Sequence, residues 1–120
     1  MHFDALKQRA VYQAVGDVEE MAELEPYVGE YVNEGYERLA ALHGKTEMEP
    51  LVRGNDEPDL PEWMQPSIAD WATWQLLRNG NPGRQQRGIQ FRAMFEETVA
   101  RALREGGVTG KRTKFTGIYP

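Results

Sequence analysis

The chain has no cysteine and only two histidines, His2 and His43. Disulfides, thiol nucleophiles and cysteine-ligated metals are therefore excluded, a usage that fits a reducing compartment. The two histidines are far apart, and no His-x-x-x-His pair places two imidazoles on one helical face. His43, near the end of a helical segment, reads as a favourable dipole partner instead. Serine occurs once, as Ser67 behind Pro66 and outside any Gly-x-Ser-x-Gly setting, so helix capping accounts for it. The stretch Gly80-Asn81-Pro82-Gly83 is a turn; no Gly-Lys-Ser/Thr follows to make it a phosphate loop. No apolar run approaches the roughly 20 residues that span a bilayer. The first residues form an amphipathic stretch containing Asp4, unlike a secretory leader. The expectation is a chain with no catalytic residue, no metal, no cofactor and no membrane segment.

What is present is a strong asymmetry of charge. Residues 1–60 carry 5 Lys/Arg against 14 Asp/Glu, whereas residues 61–120 carry 9 against 5. The overall charge of −5 disfavours nonspecific nucleic-acid binding by the body. After Glu105 no acid occurs at all, and residues 107–120 have no helical period. A molecule with opposite charge at its two ends suits head-to-tail association or docking on a scaffold.

At 120 residues the chain is read as one domain over 1–106, followed by a C-terminal arm over 107–120. Phe3, Leu6, Ala10, Val11 and Ala14 predict an amphipathic helix over 3–15, stopped by Gly16. Asp17 is placed to cap a second segment, in which Pro26 either kinks the helix or opens a fresh one. Val28, Tyr31, Val32, Gly35, Leu39 and Leu42 continue the stripe to Gly44. Residues 44–62, with Pro50, Pro58, Pro61 and Gly54, form a long connection; Met48, Leu51 and Val52 suggest a short strand or hairpin tip. Helix returns near Pro61 or Pro66, with Met64, Ile68, Trp71, Ala72 and Leu76 on one face, and Trp74 and Leu77 widening it. Asn79-Gly80 ends it. Asn81-Pro82 starts a last helix to about Glu105, with Phe91, Phe95, Val99, Ala102 and Leu103 inward. The fold class is all-α: a small bundle of four to five helices with one long loop and one extended arm.

Three groups of residues have interaction potential. Glu19, Glu20, Glu23, Glu30, Glu34 and Glu37 form an acidic face, which reads as solvated because helical spacing alone gives no carboxyl the desolvation that acid–base catalysis needs. Arg84, Arg87, Arg92, Arg101 and Arg104 form a basic outer face on the last helix. Three readings of it stand: a solvated surface with pairs such as Glu97–Arg101, half of a heterologous interface with a neighbour's acidic segment, or phosphate contact. In the arm, Lys111, Arg112 and Lys114 supply steering charge, while Phe115, Ile118 and Tyr119 can fill pockets on a partner. Trp71 and Trp74 read as core, since Asp70 adjoins them and Arg78 is the one cation nearby in sequence.

Four segments together carry a resemblance. Tyr27-Val-Gly-Glu-Tyr-Val-Asn-Glu-Gly-Tyr-Glu-Arg-Leu39, Leu60-Pro-Glu-Trp-Met64, Ile68-Ala-Asp-Trp-Ala-Thr-Trp-Gln-Leu-Leu77 and Phe91-Arg-Ala-Met-Phe-Glu-Glu97 resemble, in order and spacing, the head–tail connector or adaptor (neck) proteins of tailed bacteriophages. The similarity covers about residues 17–105. The chain departs from that family in its proline-rich loop and in having Trp71 and Trp74. The resemblance implies a structural virion protein at the capsid–tail junction, made in the host cytoplasm and packed as a ring, commonly twelvefold, beneath the portal protein. It implies contacts to neighbouring neck and tail proteins, a DNA channel crossed without specific binding, and an arm that grips the portal or an adjacent subunit. The alternative reading is a small helical regulatory or nucleic-acid-binding protein that uses its arginine face and basic tail.

Overall fold

The computed structural model describes residues 1–15, 18–42, 44 and 48–105; for residues 18–23 it describes the backbone alone. Among the described residues there are four α-helices: α1 (Phe3–Ala14), α2 (Val18–Ala41), α3 (Gln65–Leu77) and α4 (Pro82–Arg104). A short 3-10 turn, Glu62–Met64, leads into α3. No strand occurs among the described residues. The fold is an all-α bundle, as the periodicity predicts. Gly16, Asp17, His43 and the whole arm lie outside the described residues.

The bundle is organised around α3. Ten of its residues are buried, including Ile68, Trp71, Thr73, Leu76 and Leu77, and they point in every direction around the axis. A helix buried on most of its sides belongs inside a core, not on its edge; four of those ten residues, Gln65, Ser67, Asp70 and Thr73, are nonetheless polar. This corrects the expectation of a single inward face. The other helices pack around α3, and α4 packs chiefly on it. Gly35 allows α2 its close approach: a Cβ there would lie 3.0 Å from the Trp71 Cβ and 3.2 Å from the Ile68 carbonyl oxygen.

Pro26 neither breaks α2 nor opens a new helix. The 24-residue helix runs through it, a length of about 36 Å; as the ninth residue the proline lies past the first turn, and it deletes one intrahelical donor without ending the helix. Gly44 follows its end with φ of +72°, a left-handed conformation that suits glycine after a helix. Asn81 caps α4 as its sequence predicts, its side chain accepting from the Arg84 amide at 3.0 Å, with Pro82 in the first turn. Ser67, by contrast, caps nothing. Its buried hydroxyl hydrogen-bonds the Thr98 hydroxyl on α4.

The expected strand near Met48–Val52 is replaced by a side-chain clip. The Leu51 amide donates to Asn33 Oδ1 at 2.7 Å, and Asn33 Nδ2 donates to the Leu51 carbonyl at 2.9 Å. A carboxamide presents the same donor and acceptor as a peptide, so α2 supplies what a neighbouring strand would have. Leu51 is thereby seated in the core. Farther along, the Gly54 and Asp56 carbonyls accept from the Asp4 and Phe3 amides at 3.0 and 2.8 Å. Those two N–H groups open α1 and have no partner within it. The loop therefore caps the first helix.

Candidate functional site

Only half of the acidic face falls within the described side chains. Glu19, Glu20 and Glu23 lie outside them, while Glu30 and Glu37 are exposed on α2. Glu34 is half-buried and belongs to the packing: it accepts from Trp71 Nε1 at 2.7 Å and from Gln75 Nε2. Beside these residues is a shallow groove of about 580 Å³, lined by Glu30, Glu34, Glu37, Ala41, Met48 and Pro50. Its flank is acidic and its floor partly apolar.

The arginines of α4 divide by task. Arg87 Nη2 donates to the Gln13 and Ala14 carbonyls at 3.0 and 3.4 Å, covering the open C-terminal end of α1. It is thus turned into the subunit. Arg92 lies 4.5 Å from the Trp74 ring centroid and Arg101 3.9 Å from that of Trp63. The i,i+4 ion pairs of this helix are Arg92–Glu96 at 3.7 Å and Arg101–Glu105 at 2.7 Å, so Arg101 pairs forward with Glu105 rather than back with Glu97. Arg84 is half-buried near the helix start, and Arg104 is exposed near its end. The outer face is basic mainly at Arg92, Arg101 and Arg104.

The same face carries apolar residues. Ile89 and Leu103 are exposed, Leu103 at 55%, which corrects its expected inward position. Phe95 and Ala102 are the buried members of that set, while Phe91 and Val99 pack partly against the core. Leu103 is one residue past Ala102 and thus about 100° around the helix from it, which carries it off the buried stripe.

Between α2, α3 and α4 an aromatic seam forms. Trp71 packs on Trp74 with centroids 5.0 Å apart and on Phe95 at 4.9 Å, both tilted. Arg38 lies 4.3 Å over Trp71, and both Arg78 and Arg92 lie over Trp74. Proximity in sequence revealed only Arg78; the other two come from helices distant in the chain. Trp71 is 4% exposed, so the core assignment holds for it and no base can stack on it.

Among the described residues, Asp70 is the one buried carboxylate, and its surroundings conflict with its charge. It is 4% exposed, and its Oδ1 has no hydrogen-bond partner. Burial pushes its pKa up to about 6, against the opposing effects of Arg9 and a hydrogen bond from Gln13. Asp56 shows the reverse: amides of Arg53 and Val52 donate to its Oδ2 at 2.8 and 2.9 Å and hold its carboxyl below the ordinary range. Among the described residues no group of three or more His, Cys, Asp or Glu side chains could hold a metal. None of the described helices is long and apolar enough to cross a membrane. His2 contacts the Asn55 carbonyl and Glu57, both on the long loop. The arm residues Lys111, Arg112, Lys114, Phe115, Ile118 and Tyr119 lie outside the described residues.

Comparison with known proteins finds no matching family model, no matching curated protein and no matching solved structure.

Proposed function

We propose that this chain is a structural protein that acts by assembly: a head–tail adaptor of the tailed-bacteriophage kind, forming a ring beneath a portal protein and joining capsid to tail. The observation that carries this reading, beside the sequence resemblance, is the separation of unlike surfaces around α3. An acidic groove lies on α2. Arg101, Arg104, Ile89 and Leu103 are presented by α4, which packs on another side of the same helix. Unlike patches on different sides of one body make heterologous contacts, which close into rings when the rotation permits. In this reading the chain performs no catalysis and uses no cofactor, its arm grips the portal or the adjacent subunit, and DNA passes without specific contact. The virion would be its final location.

The test is co-expression with the portal protein encoded by the same genome, followed by sizing and negative-stain imaging. The full chain and a chain ending at Gly107 are compared. A stacked ring with the full chain alone supports both the adaptor role and the latch. A ring with both chains removes the latch, and no association with either removes the adaptor role.

One observation favours a second reading: Arg38, Arg78 and Arg92 gather over two indoles at one seam. Stacked guanidinium groups keep N–H edges available for phosphate. Micromolar duplex binding that weakens steeply with salt would support a nucleic-acid-binding role; salt-independent or absent binding would reject it.

A further inference from the structure

The groove on the flank of α2 combines two kinds of surface. Glu30 and Glu37 are exposed along one wall, and Ala41, Met48 and Pro50 form an apolar patch beside them. Its depth is maintained by the Asn33–Leu51 clip, which holds the loop against α2. Glu34, at the inner edge, is fixed by Trp71 and Gln75, so the acidic wall includes one carboxylate of set position.

A ligand for this surface needs cations followed within a few residues by apolar side chains. The chain's own end has that pattern: Lys111, Arg112 and Lys114, then Phe115, Ile118 and Tyr119, with no acid after Glu105. The geometry of the exit agrees. Arg101 stacks on Trp63 and Ser67 bonds Thr98, so the end of α4 lies beside the start of α3. Tyr36 of α2 bonds the Asp59 amide ahead of α3, and Arg38 lies over Trp71, so the second half of α2 lies against the first half of α3. Lys111 and Lys114, six and nine residues beyond Glu105, can stand up to about 20 and 30 Å from it along an extended chain.

We infer that the acidic groove on α2 is the receptor for the basic C-terminal segment, residues 107–120. The cations pair with Glu30 and Glu37 along the wall, and an apolar side chain beyond Lys114 covers Met48 and Pro50. The inference rests on the assembly reading only for the source of the segment, which that reading takes from a neighbouring copy.

The chain's lysines are Lys7, Lys45, Lys111 and Lys114, which suits zero-length carbodiimide coupling of amines to carboxylates. Full-length protein, mixed from light and nitrogen-15-labelled batches, is coupled at low salt and its links are mapped by mass spectrometry. Links from Lys111 or Lys114 to Glu30, Glu34 or Glu37 are expected. Links from these lysines only to other carboxylates, or none, would overturn the inference. Mixed-isotope links place the segment on a neighbour; same-isotope links alone uphold the groove and count against the neighbour latch. Portal stacking reads none of these links, so the two readings fail separately.

As a second measurement, a fluorescent peptide of residues 107–120 is titrated with the full-length protein. Glu30→Gln combined with Glu37→Gln, both at exposed positions, is expected to weaken binding about tenfold. The peptide carrying Lys111→Glu and Lys114→Glu should show a similar loss. Binding indifferent to both changes would overturn the assignment.

Discussion

The Asn33 side chain and the Leu51 backbone form a reciprocal pair, each donating to the other, across 18 residues of sequence. This one amide seats Leu51 in the core and holds the long loop to α2. Replacing it leaves a partly buried N–H and C=O without partners. Asn33→Ala should therefore cost about 2–3 kcal/mol, measured by urea unfolding. Asn33→Asp should be less stable than wild type above the carboxyl pKa, since it loses the donor to the Leu51 carbonyl.

Gly35 opposes helix propensity in favour of packing. Alanine would improve the propensity of α2 by about 1 kcal/mol, yet its Cβ would press on the Trp71 Cβ and the Ile68 carbonyl. Both obstacles belong to the central helix and cannot rotate away. Gly35→Ala is expected to destabilise by about 1–3 kcal/mol, with a change in near-ultraviolet circular dichroism from the displaced Trp71. A variant as stable as wild type would show that α2 and α3 can separate freely.

Asp70 gives the fold a pH dependence of defined sign. Its carboxyl has a pKa of about 6 in the native state against 3.8 as reference, because burial penalises the charge. Between these values the native state binds more protons than the unfolded chain, so stability from this group is full below about pH 4 and is lost as pH rises through 6. Asp70→Asn should remove that slope and raise stability at pH 7 by on the order of 2 kcal/mol. Thermal unfolding of both proteins at pH 4, 5, 6 and 7 checks it; parallel curves would refute the assignment.

Two arginines of α4 should affect different properties, one stability and the other assembly. Arg87 binds the last carbonyls of α1, so Arg87→Ala should lower stability by about 1–2 kcal/mol and speed amide exchange at the end of α1. Arg104 is exposed, so Arg104→Glu should leave the melting temperature nearly unchanged. In the assembly reading it should weaken ring formation at low salt, with the difference shrinking as salt screens it. Sedimentation at two ionic strengths reads the second effect.

The helices were legible because their apolar residues recur at three and four, and because Asn81-Pro82 is a start signal with a local mechanism. The inward residues of α1 all belong to the buried core. Periodicity says nothing of partners far away in sequence. Ser67 looks like a cap until Thr98, 31 residues on, is brought against it. Arg87 looks like surface until the end of α1 meets it, more than 70 residues back. The loop was the least legible part: its order comes from backbone groups bonded to Asn33, Tyr36 and α1, which composition does not encode. Of the interaction surfaces, the acidic and basic residues were visible as sets, but which of them packing would consume was not.

The long connection also behaves as a measured length. Leu51 is held by Asn33, the Gly54 and Asp56 carbonyls by the start of α1, the Asp59 amide by the Tyr36 hydroxyl, and the Leu60 carbonyl by Gln65. Adding or deleting one residue among these anchors would displace the next by about 3.5 Å, more than a hydrogen bond can absorb. A stretch that composition would class as a spacer is therefore set in length from Leu51 to Leu60.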